Sequence, residues 1–384
     1  MSRQILSRSG CAEVISAPSS GARGPTYVVR ETHLFDEDRS LNDLTRDALG
    51  WSPFYMSQLD LIELETLTPA RIATVHRDRV VGFSEIGTLE LTLDPGITTA
   101  AVAVGDWVLC APEQHRLVRV IDRKTELTRG TEYHTGEKQL IAANLDTLFI
   151  TSSCNNDFNV ARLERYLALS HDAMITPVIL LTKADQTDDP DVYIDQARSL
   201  GRDLEVIACD AKSDDMVSLL APWCGKGQTI ALAGSSGVGK TTVANALTGG
   251  DALTQDIRED DARGRHTTTG RSLHRMRGGG WLIDTPGMRG LGVAEVAYGI
   301  DATFPEISEQ AMRCKFRDCA HETEPGCAVQ AGIAAGEIDP ERLKRFKKLK
   351  RENEHATETI AQARDRGRKL GKMYRSAVQK KDRT

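Results

Sequence analysis

The chain has 384 residues, 40% of them hydrophobic and 27% charged, with a formal net charge of −6. That length leaves room for two or three domains around at least one sizeable core, and the composition is that of a globular protein, not a disordered or fibrous one. No apolar run reaches the roughly 18 residues of a membrane span, and eight cysteines in so long a chain exclude a disulfide scaffold.

Residues 1–68 form an N-terminal extension. Its first twenty residues, MSRQILSRSGCAEVISAPSS, hold no continuous apolar core, so no secretory signal is expected, and a transit peptide is the lesser alternative. SAPSSGARGPT reads as flexible, and LNDLTRDALGWSPFYMSQL as one or two short helices. From 69 to 130 the pattern turns to short β-rich runs (RIATVHR, VVGFSEI, TLELTL, DWVLCA, RLVRVID) separated by turn signals such as DPG. About five strands in so short a span predict a small barrel, an OB-fold or an SH3-like domain.

Residues 131–295 alternate apolar strands with helical stretches. LDTLFIT (145–151), TPVILLT (176–182), EVIAC (205–209), TIALAG (229–234) and GWLID (280–284) predict buried parallel strands of a doubly wound α/β domain. Residues 296–384 hold a Cys/His cluster and a basic helical tail. From 340 to 384 there are 16 Lys/Arg against 6 Asp/Glu, which leaves −16 on the rest of the chain. Such a tail suits an anionic polymer such as RNA, or it is simply a solvated helix face.

The strongest motif is GSSGVGKTT, from Gly234 through Ser235, Ser236, Gly237, Val238, Gly239, Lys240 and Thr241 to Thr242. It follows a predicted strand and opens a predicted helix, the context in which backbone N–H groups wrap phosphates and the helix dipole favours an anion. Lys240 is placed to reach the β- and γ-phosphates, and Thr241 to ligate Mg²⁺. DTPG, at the end of the last predicted strand, supplies Asp284 for the metal's outer shell and the Gly287 N–H for a γ-phosphate. TKAD (Thr182, Lys183, Ala184, Asp185) also follows a predicted strand. There Asp185 can accept from the N1–H and amine of guanine, which adenine lacks, and Lys183 can lie along the base. The bland alternative is a solvated turn, but ligands of α/β sheets bind at the carboxyl ends of strands, and TKAD sits at one. The base-reading motif thus precedes the phosphate loop by about fifty residues, the reverse of the usual order, which a circular permutation explains. CDAKS (209–213), where a companion base loop is due, has Asp210-Ala211 in place of the usual Ser-Ala pair.

Cys314, Cys319, His321 and Cys327 form C-x₄-C-x-H-x₅-C, a closed tetrahedral donor set for one structural zinc. The remaining cysteines are scattered and read as small core side chains in a reducing cytoplasm.

GSSGVGKTT, GRHTTT (264–269), DTPGMR (284–289), IAANLD (141–146), the permuted TKAD and the Cys/His cluster together resemble the ribosome small-subunit-dependent GTPase A family, RsgA or YjeQ. The resemblance covers about residues 70–350. It implies a multidomain chain: an OB-fold β-barrel, a circularly permuted P-loop GTPase and a C-terminal α-helical zinc domain. It also implies GTP/GDP with Mg²⁺ as nucleotide and a role in late maturation of the small ribosomal subunit. The expected partners are that subunit and its rRNA, with no membrane, and the expected state is a monomer in the cytoplasm. By the same resemblance Thr268 would ligate Mg²⁺ and His266 would position the attacking water, because Met288 stands where many GTPases carry glutamine. Two rivals remain: an ATP-using P-loop enzyme, and a nucleotide-gated RNA-binding module with negligible turnover.

Overall fold

The computed structural model describes residues 44–130, 138–250, 271–284, 293–357 and 362. The chain divides into two compact units, Met1–Leu34 and Phe35–Thr384. The first lies outside the described residues, and every described element belongs to the second.

Five strands make the barrel: β1 (Thr68–Val75), β2 (Val80–Ser84), β3 (Gly87–Leu93), β4 (Trp107–Ala111) and β5 (Arg116–Val120). Each neighbour pairs antiparallel except β3 with β5, and β4 returns to β1 through Thr68↔Cys110 to Arg71↔Trp107. The closed order 1-2-3-5-4-1 is that of an OB-fold and decides against the SH3-like alternative. Alternating inward residues, among them Ala70, Ile72, Val80, Leu91, Val108 and Leu117, fill the barrel. Ahead of it lie two short helices, α1 (Pro53–Met56) and α2 (Leu61–Thr66). A capping box starts the second: Glu63 N–H donates to Asp60 Oδ1 at 2.8 Å, and Asp60 N–H to Glu63 Oε2 at 3.1 Å.

The hairpin of β6 (Glu126–Gly130) and β7 (Lys138–Ala143) leads into the second sheet. Here β8 (Thr147–Ser153), β9 (Thr176–Thr182), β10 (Glu205–Ala208), β11 (Thr229–Ala233) and β13 (Trp281–Asp284) run parallel in the order β10-β9-β8-β11-β13. Helices α3 (Val160–Asp172), α4 (Asp191–Arg198), α5 (Met216–Leu220) and α6 (Lys240–Thr248) connect them. All five expected strands are present. A sixth, β12 (Ser272–Arg275), has no apolar run to announce it. It pairs antiparallel with β13 on one side and meets β1 of the barrel on the other, through Thr74↔Ser272. The two sheets are therefore one hydrogen-bonded surface.

Their junction is tightly packed. Gly105 holds φ +92°, and a Cβ there would lie 2.2 Å from Ala143 O and 2.9 Å from Ile283 Cδ1. Asn144 bridges the parts, accepting from Lys124 N–H at 2.9 Å and donating to Gly105 O at 3.0 Å. Trp281, fully buried, donates from Nε1 to Ala48 O at 2.8 Å and packs 5.5 Å from the Phe83 ring.

Beyond β13 come α7 (Ala297–Thr303), α8 (Pro305–Ala311), α9 (Ala328–Ala334) and a long α10 over 340–357. They share an apolar core with α3, Ile300, Phe304 and Phe346 among its members, and also meet α3 through Glu164, which is fully buried. Arg345 Nε donates to both its carboxylate oxygens, at 3.0 and 2.7 Å, and Arg342 Nη1 to one at 3.2 Å. Burial pushes the Glu164 pKa up, and the two guanidiniums pull against that rise. Among the described residues no helix is long and apolar enough to cross a membrane.

The junction yields a stability test. Gly105→Ala places a methyl against backbone in a left-handed conformation and should cost about 3 kcal/mol or more. Calorimetry should show a Tm several degrees lower, whereas an unchanged Tm would mean that the barrel does not sit on the sheet in this way.

Candidate functional site

The parallel strands all end on one edge of the sheet, and the two loops read as nucleotide motifs leave from that edge. After β11 the chain turns at Gly234, where φ is +137° and a Cβ would come within 2.1 Å of Thr151 O on β8. Only glycine permits this closeness. The loop then reaches α6, whose first turn begins at Lys240 with Gly239 as its N-cap. Lys240 Nζ lies folded over the loop and donates to Gly234 O at 2.9 Å and Ser235 O at 2.5 Å. Ser236 and Gly237 are exposed at the loop's crown, Val238 is buried beneath it, and Thr241 is exposed beside it. The arrangement has the parts that a phosphate cradle requires: a glycine-rich turn, a helix N-terminus and one lysine lying over the loop.

Two strands away, β9 delivers Thr182, Lys183, Ala184 and Asp185 to the same edge. Thr182 is fully buried. Its hydroxyl donates to Val238 O of the phosphate loop at 2.5 Å, with Ser152 O as a second acceptor at 3.1 Å. Lys183 takes a left-handed φ of +57°, which turns the chain so that Ala184 N–H reaches Cys209 O at 3.3 Å and Asp185 stands exposed. The loop after β10 flanks it, with Asp210 Oδ1 accepting from Lys212 N–H at 2.9 Å. Asp284 closes the row as the last residue of β13. The structure therefore brings together residues 182–185, 234–242 and 284. Gly287, Met288, His266 and Thr268 lie outside the described residues.

The Cys/His cluster forms a second centre. The candidate ligand atoms of Cys314, Cys319, His321 and Cys327 all lie within 4.8 Å of one another. Cys314 Sγ is 3.9 Å from Cys327 Sγ, and His321 Nδ1 is 3.6 and 3.5 Å from these two sulfurs. Tetrahedral zinc with ordinary bond lengths requires edges of about 3.8 Å for S···S and about 3.5 Å for S···N. The residues fit the metal, and the set is closed, which marks it as structural. Supporting contacts come from residues that the motif does not name. Glu324 accepts from Ala320 N–H at 2.7 Å and Glu322 N–H at 2.8 Å, and such backbone hydrogen bonds hold its pKa down at about 2. Gln330 Nε2 and Lys347 Nζ donate to His321 O at 2.7 and 3.0 Å, and Gln330 N–H donates to Cys327 Sγ at 3.4 Å. Sequence spacing carries no sign of Gln330 or Lys347. Glu324, three residues after the histidine in a turn, is the only one with a weak signal.

Comparison with known proteins agrees with this geometry. A family model described as RsgA GTPase matches residues 120–294. A Mesorhizobium japonicum protein named Small ribosomal subunit biogenesis GTPase RsgA is 56% identical over 313 residues, 80% of this chain and 90% of its own. Small ribosomal subunit biogenesis GTPase RsgA 2 of Vibrio vulnificus is 44% identical over 332 residues, 86% and 94% of the two chains. Among solved structures, YjeQ from Thermotoga maritima shares the fold with a TM-score of 0.57 at 22% identity, covering 74% of this chain and 97% of that one. YloQ, described as a circularly permuted GTPase, gives 0.54 at 24% identity, with coverage of 78% and 96%. The base motif and phosphate loop meet here in permuted order, as that description requires, and the identity to full-length relatives is high: this chain belongs to the RsgA GTPase family and is a GTP-hydrolysing enzyme.

Proposed function

We propose that this enzyme binds the small ribosomal subunit, assists its late maturation, and hydrolyses GTP to GDP and phosphate faster when so bound. The observation that carries this reading is the 56% identity, over 90% of its length, to a relative named for small ribosomal subunit biogenesis. The cationic stretch 340–384 supports rRNA as the contacted surface, and the contact should weaken steeply with salt as counterions are released. The proposed compartment is the cytoplasm, and the proposed state is a monomer.

In this reading Lys240 leaves the Gly234 and Ser235 carbonyls for the β- and γ-phosphates, and the backbone N–H groups of 235–242 hold the remaining oxygens. Asp185 accepts from guanine N1–H and amine while the Lys183 stem covers the base. Thr182 contributes indirectly, by tying the base loop to the phosphate loop. Thr241 and Thr268 would hold Mg²⁺ through their hydroxyls, with Asp284 in its outer shell, and the ion would supply positive charge against the β- and γ-phosphates. Gly287 offers its N–H to the γ-phosphate. Met288 cannot hold a water, so that task falls to His266. Positioning of this kind supplies most of the rate in phosphoryl transfer. The zinc ligands are Cys314, Cys319, His321 and Cys327, which hold the module that follows β13.

The deciding experiment is GTP turnover with purified small subunits, large subunits or neither. Stimulation by the small subunit alone is expected, and equal rates in all three would end the proposal. Asp185→Asn should weaken GTP binding about tenfold or more, since a charged hydrogen bond to the base is lost. If wild type and variant bind GTP and ATP alike, Asp185 does not read the base.

His266→Ala should retain GTP affinity yet lose about 100-fold of the stimulated rate. A normal stimulated rate in that variant would assign the water to another group. Glu324→Ala should release zinc to a colorimetric chelator about tenfold more readily, as outer hydrogen bonds orient metal ligands. Zinc retention equal to wild type would make Glu324 a turn residue only.

A further inference from the structure

One buried hydroxyl reaches the phosphate loop from outside it. Tyr166 lies near the middle of α3, 3% exposed, and packs into the main core together with Leu163, Leu167 and Ile150. Its hydroxyl accepts from the backbone N–H of Gly234, the residue that follows β11 and opens the phosphate loop. Burial raises the Tyr166 pKa, and Arg162, the Gly234 N–H and Arg165 pull against that rise. The group that meets the loop is therefore the neutral phenol.

Gly234 has need of such a partner. It is buried, at φ +137°, and passes so near Thr151 O that no side chain fits. The loop thus leaves the sheet through one sharply set backbone unit, and a buried N–H left unpaired there would be costly. The carbonyl of the same residue is held in another way: it accepts from Lys240 Nζ at 2.9 Å. That lysine is also the cation that the phosphates require, so its contact with Gly234 O ends when nucleotide enters. The bond to Tyr166 uses no group that the nucleotide needs.

The helix that carries Tyr166 is a firm support. Just ahead of it, Glu164 receives Arg342 and Arg345, and Arg165 Nη2 lies 2.5 Å from Glu352 Oε2. Just after it, Ala168 O lies so close to α7 that a Cβ on Gly299 would overlap it, and Asp172 Oδ1 accepts from Gly299 N–H at 3.2 Å. A side chain on a helix fixed at both ends can hold a partner within a fraction of an ångström.

We propose that Tyr166 is a positioning residue of the phosphate loop, fixing Gly234 in one place with and without nucleotide. The inference rests on the reading of residues 234–242 as the phosphate site. Lys183 and Asp185 stand on the loop after β9, so loss of the hydroxyl should fall on the phosphate contacts and spare the base.

The test compares Tyr166→Phe, which keeps the ring and its packing, with Leu169→Val, a core change on the same helix that leaves the hydroxyl in place. Calorimetry on the full zinc-loaded chain with Mg²⁺ measures binding of GDP and of GMP, which has the same base and ribose but no β-phosphate. Wild type should bind GDP more tightly than GMP. Tyr166→Phe should weaken GDP about fivefold and GMP less than about twofold, with zinc content unchanged. Leu169→Val should lower the Tm and leave the GDP-to-GMP ratio as in wild type. Equal affinity of wild type for the two nucleotides would overturn the reading of the phosphate site, and this inference with it. A preference for GDP in wild type that Tyr166→Phe keeps in full would overturn the inference alone. So would a loss shared equally by GDP and GMP, or a GDP-selective loss of the same size in Leu169→Val, and Tyr166 would then be a packing residue of α3.

Discussion

A hydrogen bond of 2.5 Å from the Thr182 hydroxyl to Val238 O joins two loops that are 56 residues apart in the chain. It is possible only because β9, β8 and β11 lie side by side, and because Gly234 lets the phosphate loop pass within contact of Thr151 on the intervening strand. A nucleotide spans base and phosphates at a fixed length, so the distance between those loops is what the sheet must keep. The order in which the chain visits the strands is free. The neighbours on the sheet are constrained, and a permuted connection satisfies that constraint as well as an ordinary one.

The parallel strands were legible because both their faces are covered, which makes each a continuous apolar run. β12 was not: SLHR is four residues long, three of them polar, and its place depends on a partner from the barrel. Strand count predicted a barrel, but its closure rests on β1 pairing with both β2 and β4, a long-range register that local alternation does not encode. The phosphate loop and the zinc ligands were legible from spacing because each is a contiguous device. Thr182 as a tether, Gln330 and Lys347 as props, and the burial of Arg71 were not, since each depends on which residues the fold places opposite. An arginine in a strand of RIATVHR reads as a surface residue, and only the closed barrel against the sheet puts it inside.

The C-terminal helices share the main apolar core with α3, through Ile300, Phe304, Ile307 and Phe346, and bury a charge cluster beside it. Glu164 alone receives two arginines from one turn of α10, and Arg342 also reaches Glu306, Leu200 O and Thr303 O while lying 4.8 Å from the Phe304 ring. Buried ion pairs of this kind add little net stability, but removing one partner is strongly destabilising, so they fix one docking geometry over its near alternatives. The zinc centre sits between α8 and α9 within this docked group. Metal, helices and α3 therefore form one rigid attachment, and α3 itself follows directly from β8 of the nucleotide sheet.

The continuity of the main sheet through β12 also decides how the molecule meets its own copies. An open sheet ordinarily presents two strand edges, each a template for another chain. Here β1 meets the β12 edge at one residue pair, Thr74↔Ser272, and the barrel beyond it closes on itself, so that edge is covered at one end among the described residues. The opposite edge of the main sheet is β10, which is four residues long and begins with an exposed glutamate at Glu205. By setting its barrel against the strand that would otherwise end the sheet, the chain obstructs one of its two sites for edge-to-edge aggregation.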